Sequence, residues 1–348
     1  MSINPNLYSE EHKNPRSHKK YEREIPYYVR GIDEGNRFIL SESITLLEST
    51  LQYKRAKGLR ILDAFNDKRP NTIRIGITGT PGVGKSTFIE ALGRYFISKG
   101  HRLAVLAIDP SSQINKGSIL GDKHRMQTLS SLPEAFIRPT ASGATLGGTA
   151  IHTKETIKLC EAAGFDTVFI ETVGVGQSEI EVGFMTDVNI LLLQPGAGDE
   201  IQGIKRGIME NADIFIINKS DGVLLPLAKQ TKRFYRNAIQ LFHHEVDGWE
   251  CPVMLVSSVE HTGLDAVYEA IFRYKDKLEE LNIFDRQRVE QDVRWFHLKT
   301  KDLVENIMLN HPRLKSEYIR LIAEIQNQSL SALSALTAME ARIKSFFQ

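Results

Sequence analysis

Residues 79–86 read Gly79-Thr80-Pro81-Gly82-Val83-Gly84-Lys85-Ser86, followed by Thr87. The spacing is G-x-x-x-x-G-K-[ST], set between an apolar run at 73–78 and a helix-like segment at 86–98. Glycines let successive backbone N–H groups turn toward one point, and the helix N-terminus adds partial positive charge there. The expected ligand is a nucleotide phosphate. Gly79, Pro81, Gly82, Val83, Gly84 and Thr87 would shape the cradle, Lys85 would reach the outer phosphates, and Ser86 would ligate magnesium. A chance glycine turn before a helix is the bland alternative; the flanking strand and helix argue against it.

On either side of this loop the chain alternates. Apolar runs at 73–78, 103–109, 167–172, 188–193, 213–218 and 253–257 are separated by helix-like segments, notably at 86–98, 150–163, 224–242 and 264–281. Continuous apolar strands alternating with helices predict a mostly parallel sheet covered on both faces. The fold class is therefore α/β, a doubly wound P-loop NTPase domain over 71–275. Residues 33–70 read as an N-terminal helical extension, because Leu40, Ile44, Leu47 and Leu51 recur at helical spacing. Residues 1–32 are polar and aperiodic, the pattern of a mobile tail. Residues 276–348 are helical by pattern, with a break at His311-Pro312. Their apolar positions, Val293, Phe296, Val304, Ile307, Ile319 and Ile322, need a surface: the α/β domain or a second subunit.

Composition sets limits. With 348 residues, 41% hydrophobic and 25% charged, the chain is globular and long enough for a full core. Lys and Arg (44) balance Asp and Glu (43), so no global basic field points to nucleic acid or a membrane surface. No apolar run approaches the roughly 18 residues of a membrane span, and the first thirty residues lack a secretory signal's apolar stretch. Cys160 and Cys251 cannot build a disulfide framework or a four-ligand zinc site, and read as small buried hydrophobes. A reducing, cytoplasmic location is expected. His243-His244 reads as a solvated helix end.

The base is read from Asn218-Lys219-Ser220-Asp221, an N-K-x-D string directly after an apolar strand. A carboxylate at Asp221 accepts two hydrogen bonds from guanine, one from its ring N–H and one from its amine. Adenine lacks that donor pair and would leave the carboxylate unpaired, at a cost of roughly 1–3 kcal/mol. Ser257, Ser258 and Val259, after the next strand, supply the second base-contact loop. The ligand is expected to be GTP or GDP. Asp109 and Glu171 end apolar runs, and ligands of parallel sheets sit beyond strand carboxyl ends. Their oxygens suit a hard cation such as Mg2+. With Lys85 they are the expected catalytic residues. Glu171-Thr-Val-Gly174 stands where many GTPases have D-x-x-G, with the Gly174 N–H free to meet the γ-phosphate.

Taken in order, the strings ITGTPGVGKST, AIDPSS, GSILGDKHRM, ETVGVGQSE, PGAGDEIQGIK and NKSD resemble the MeaB/ArgK methylmalonyl-CoA mutase-associated GTPases, over about residues 33–300. The resemblance implies a GTP-hydrolysing chaperone of the dimeric, metallocenter-chaperone branch. Such a protein gates cofactor loading and protection of an adenosylcobalamin-dependent mutase. It implies a homodimer held by the C-terminal region. It adds Asp122 to Ser86, Asp109 and Glu171 at the metal, and implies switches at 110–122 and 171–179. A loop at 194–205 would signal to the mutase. The first switch departs from the family, since Gln113-Ile-Asn-Lys116 replaces a stretch usually closer to Thr-Arg-Thr-Gly. Asp122-Lys-His124 begins like a D-x-H-x-x-G cobalamin string, but Gln127 holds the glycine place, so no corrinoid bound by this chain alone is expected. No Cys-x-Cys or Cys-Pro-His metal-delivery motif occurs. Gln177 is a candidate by residue type for positioning water. The alternative is an ATPase or kinase linked to transport of basic amino acids, a name this family has also carried. A signal-recognition type of targeting GTPase would want a basic or Met-rich domain, and only 7 Met occur.

Overall fold

The computed structural model describes residues 23–66, 71–109, 126–141, 148–172, 182–196, 206–240, 244 and 246–347. Strand β1 (Ile73–Gly79) pairs in parallel with β4 (Thr167–Thr172) on one edge and β5 (Val188–Leu193) on the other. Outside β4 lie β2 (Leu103–Asp109) and then β3 (Ala135–Ala141); outside β5 lie β6 (Ile214–Ile217) and then β7 (Val253–Leu255). The seven-stranded order is β3-β2-β4-β1-β5-β6-β7, and each neighbouring pair is parallel. The doubly wound α/β expectation holds.

Alternate strand residues feed two opposite cores, as the period of two requires. On one face Ile75, Ile77, Val105, Phe169 and Ile190 meet α4 (Lys85–Ser98) and α9 (Leu264–Glu280). Phe96 stands edge-on to Phe169, with ring centres 5.3 Å apart. On the other face Leu106, Ile108, Val168 and Ile170 meet α6 (Gly148–Ala162) and the N-terminal helices α1 (Ile25–Asp33), α2 (Arg37–Leu47) and α3 (Gln52–Asp63). A third cluster joins Leu191, Leu193, Phe215 and Ile217 to Ala228 and Tyr235 of α8 (Leu225–Ile239).

Several details differ from the sequence reading. Helix α1 begins at Ile25, inside the stretch that reads as tail, and fully buries Tyr28 and Ile32. Its polar surface hides the period, while Tyr28 donates to the buried Glu42 at 3.2 Å. The extension also breaks after Leu47. Asn36 caps α2 by accepting from the Phe38 and Ile39 N–H groups, and Leu40, Ile44 and Leu47 are buried, but Leu51 starts a new helix and is exposed. Strand β3 carries Arg138 and Pro139, a poor central-strand pattern that an edge position tolerates. Arg138 ties it to α2 by donating to the Ser41 carbonyl at 3.2 Å and pairing with Glu48.

Helix α9 also runs through position 275, with Tyr274 and Leu278 buried in the sheet core. The helix ends at Glu280, and Asn282, whose backbone is left-handed (φ 56°), turns the chain into α10 (Ile283–Asn310). Helix α11 (Pro312–Gln326) follows the expected His311-Pro312 break, and α12 (Ala332–Phe347) packs on it through Leu314, Leu321, Ala335 and Met339.

The first part of α10 is held to the sheet by charge. Arg288 grips the Asp187 carboxylate at 2.7 Å and the Thr72 carbonyl at 2.8 Å, and Gln291 donates to the Thr186 carbonyl at 2.7 Å. Beneath them Arg74 makes a two-pronged pair with Glu161, at 2.7 and 3.0 Å, both residues buried. Removing one partner of such a pair strands the other charge away from water. Glu161→Gln should therefore lower the unfolding free energy by about 3 kcal/mol in urea denaturation, whereas a surface pair such as Lys344–Glu340 should cost under about 1 kcal/mol to break.

Candidate functional site

The carboxyl ends of β1, β4, β5 and β6 bring the sequence candidates to one edge of the sheet. The phosphate-loop sequence leaves β1 at Gly79. A Cβ there would lie 2.5 Å from the Leu192 carbonyl oxygen of β5, so only glycine fits. Val83 is wholly buried in the core and pins the loop's far end. Gly84 caps α4 in the left-handed region (φ 94°), where a side chain would meet the Asn218 amide at 2.8 Å. The first turn of α4, from Lys85 onward, presents the helix's positive end at this point. Lys85 folds over the loop, donating to the Gly79 carbonyl at 2.6 Å and the Thr80 carbonyl at 3.2 Å. Pro81 and Gly82 form the exposed outer turn, and Thr87 follows Ser86 on α4.

The N-K-x-D loop, residues 218–221, is built onto this one. Asn218 is fully buried. Its amide donates to the Val83 carbonyl at 3.0 Å, and its side-chain oxygen accepts from the Ser258 hydroxyl at 2.7 Å. Lys219, at φ 56°, reaches back to the Gly82 carbonyl at 2.6 Å. The Asp221 carboxylate accepts from the Ser257 hydroxyl through Oδ2, and that hydroxyl accepts from the Glu260 N–H at 3.0 Å. Ser257 and Thr262 also exchange backbone hydrogen bonds, at 3.2 and 3.1 Å. Thr262 has no distinctive signal in the sequence; only the Thr-Gly pair ahead of α9 hints at a closed turn. Val259, expected at the base, is three-quarters exposed on that turn.

Glu171, at the end of β4, is buried and accepts from the Ser86 hydroxyl at 3.1 Å. A carboxylate and a hydroxyl this close form a hard oxygen donor set, which fits Mg2+. Asp109 ends β2 beside them, since Ile108 registers with Thr172. Asp122, His124, Gly174, Gln177 and Lys205, with both expected switches apart from the strand ends, lie outside the described residues. Gln127 starts α5 (Gln127–Ser131).

Elsewhere, Cys160 is buried, and burial together with neighbouring Glu161 pushes its thiol pKa up. Cys251 contacts the Ala212 carbonyl at 3.6 Å. His244 corrects the expectation of a solvated helix end. Its Nε2 lies 3.0 Å from the Asp213 carboxylate and its Nδ1 accepts from the Val246 N–H, so it fastens the chain between α8 and β7 to the start of β6. Among the described residues no cluster of His, Cys, Asp and Glu could hold a metal by itself, and no helix is long and apolar enough to cross a membrane.

A parallel sheet, a glycine loop opening a helix and an N-K-x-D loop tied to it define a P-loop GTPase. The family model described as methylmalonyl Co-A mutase-associated GTPase MeaB matches residues 40–313, and the chain belongs to this family. It is 39% identical over 316 residues to GTPase ArgK of Escherichia coli (strain K12), covering 91% of this chain and 96% of that one. It is 38% identical over 338 residues to the mitochondrial methylmalonic aciduria type A homolog of Mus musculus, covering 94% of this chain and 80% of that one. The solved structure of a LAO/AO transport system kinase superposes with TM-score 0.71 at 34% identity, over 92% of this chain and 97% of that one. The enzyme hydrolyses GTP and binds guanine nucleotide.

The Asp221 geometry makes base selection testable by calorimetry. Asp221→Asn should weaken GDP at least about tenfold, the loss of roughly one buried charged hydrogen bond, and should improve xanthosine diphosphate, which presents an acceptor where guanine presents its amine. Equal wild-type affinity for ADP and GDP would contradict the assignment.

Proposed function

We propose that this GTPase is a chaperone for an adenosylcobalamin-dependent acyl-CoA mutase of the methylmalonyl-CoA type, gating loading and protection of its cofactor. The observation that carries the reading is family membership over residues 40–313, in a family described by its mutase association. In this reading Lys85 turns from the Gly79 and Thr80 carbonyls to the outer phosphates and neutralises charge developing during hydrolysis. Backbone N–H groups of Gly82–Thr87 hold the phosphates, while Gly79 and Pro81 set the turn. Asp221 reads guanine, held in aim by Ser257, and Asn218, Lys219 and Ser258 keep the two loops in register. Val259 shields the base edge, and Gly174 meets the γ-phosphate. Ser86, Glu171, Asp109 and Asp122 are the proposed magnesium residues; a bound ion would supply positive charge to the outer phosphates. The two free thiols suit a cytoplasmic setting.

A second reading, an ATPase or kinase for basic amino-acid transport, takes support from the name of the solved relative. The hydrogen-bonded aim of Asp221 favours guanine and weighs against it.

We also propose a homodimer through the C-terminal helices. Val293, Phe296, Leu303, Val304 and Ile307 of α10 and Ile319 of α11 are each more than half exposed, and a monomer rarely leaves so many large apolar groups in water together. Light scattering at micromolar concentration should give twice the 39.3 kDa chain mass, and Phe296→Glu with Val304→Glu should halve it; a wild-type monomer would refute the dimer.

The mutase reading is tested by GTP turnover with and without added mutase. Lys205→Ala, in the 194–205 loop, should keep GDP affinity and basal turnover within about twofold yet lose most of the mutase-induced acceleration. By linkage it should also lose the nucleotide-dependent change in mutase affinity. No acceleration of the wild type by such a mutase would remove the reading.

A further inference from the structure

Helix α8 leads directly out of the base loop, through the short turn Gly222–Leu224 after Asp221. Its sequence, LPLAKQTKRFYRNAI, contains Lys229, Lys232, Arg233 and Arg236 and no acidic residue. These four fall at i, i+3, i+4 and i+7, which places them on one face of the helix. Ala228, Thr231 and Tyr235 form the buried face against β5 and β6. The basic face is therefore turned from the core, while Leu227 and Phe234, 40% and 44% exposed, lie on a separate line of the helix beyond Gln230 and Asn237. None of the four cations makes an ion pair among the described residues. Elsewhere the exposed helices follow the opposite habit. Arg286 meets Glu290, Arg320 meets Glu317 and Glu324, and Lys344 meets Glu340, each within one turn.

Like charges at three- and four-residue spacing destabilise a helix, and α8 carries four such pairs with no acidic partner among the described residues. The interaction of Arg236 with the helix carboxyl end accounts for only one cation. In a chain whose net charge is +1, this concentration is local, not part of a general basic surface. A basic face of this size suits a protein partner of complementary charge. The connection of α8 to the Asp221 turn and to Gly196 gives a protein partner of the GTPase a use that RNA or an anionic lipid surface would not have.

The position of α8 gives a partner there a route to the nucleotide. One end continues the Asp221 loop. The Gly196 N–H, at the start of the 194–205 segment, donates to the Thr231 hydroxyl at 3.0 Å, and that hydroxyl donates to the Leu227 carbonyl at 3.0 Å. A partner lying on α8 thus touches the helix that continues the Asp221 turn and holds Gly196.

We propose that the basic face of α8, formed by Lys229, Lys232, Arg233 and Arg236, docks an acidic protein face, that of the mutase. The inference rests on the mutase reading above and adds the surface and the chemistry of its partner.

The test measures binding of full-length protein to immobilised adenosylcobalamin-dependent methylmalonyl-CoA mutase from the same organism, with GDP and with a non-hydrolysable GTP analogue, at low and high KCl. Wild-type affinity should weaken as salt rises. Lys229→Glu with Arg233→Glu should weaken it by about tenfold or more and flatten the salt dependence. Lys229→Arg with Arg233→Lys should bind like wild type. Circular dichroism and basal GTP turnover of the reversed variant should match the wild type, because neither residue contacts the site. If the reversed variant binds the mutase with unchanged affinity and salt dependence, the docking surface lies elsewhere and the mutase reading stands. If the wild type fails to bind in either nucleotide state, the reading falls and the docking falls with it. Reversal that abolishes binding to phosphatidylserine vesicles or single-stranded RNA but leaves mutase binding intact would also overturn the proposal.

Discussion

The site exists because β1 is held on both edges and covered on both faces. Its parallel pairing with β4 and β5 leaves no freedom within the sheet, and at Gly79 the Leu192 carbonyl excludes even a methyl group. The chain must leave the sheet there as bare backbone. Beyond Gly79 a run of N–H groups turns into the start of α4, with Val83 sunk in the core as the anchor. A phosphate cradle is thus the continuation of a packing constraint.

One buried amide transfers that order to the base loop. Asn218 sits wholly away from water, where an unpaired amide is costly, and it directs its hydrogen bonds to the Val83 carbonyl and to Ser258. The loops contributed by β1, β6 and β7 are therefore fixed to one another through a single side chain. Ser257 then limits how Asp221 can point. In the proposed chemistry, the separation between phosphate and base contacts is set by this linkage and needs no ligand to arrange it.

The periphery is organised on a different principle. The core faces are apolar, but α10 is attached through Arg288–Asp187, Lys154–Asp292 and Lys299–Glu155, and in each pair the member contributed by the α/β domain is buried. Such pairs require particular geometry and so specify one placement of the helix more sharply than apolar contact does. Helix α10 also exposes apolar positions, which motivates the proposed dimer, whereas α8 exposes charge of one sign. The two surfaces differ in chemistry and would take different partners.

The parallel sheet, the glycine loop opening α4 and the N-K-x-D string after β6 were legible from the chain alone. Each depends on short-range pattern: apolar runs of strand length, glycines at fixed spacing, and an N-K-x-D string directly after a strand. Local pattern could not reveal β3, because Pro139 and Arg138 are acceptable only at a sheet edge, and edge position is a property of the assembled sheet. It could not reveal that Leu51 is exposed while Leu40, Ile44 and Leu47 are buried, since that depends on a break after Leu47 and the angle at which α3 meets α2. His244 reads as solvated until Asp213, far away in sequence, comes within 3.0 Å. The four cations of α8 are visible as letters. That they share a face turned from the core, without an acidic partner among the described residues, is set by which side of the helix packs on β5 and β6. Contacts between residues distant in the chain depend on the summed packing of the whole sheet, and that sum exists only once the chain has folded.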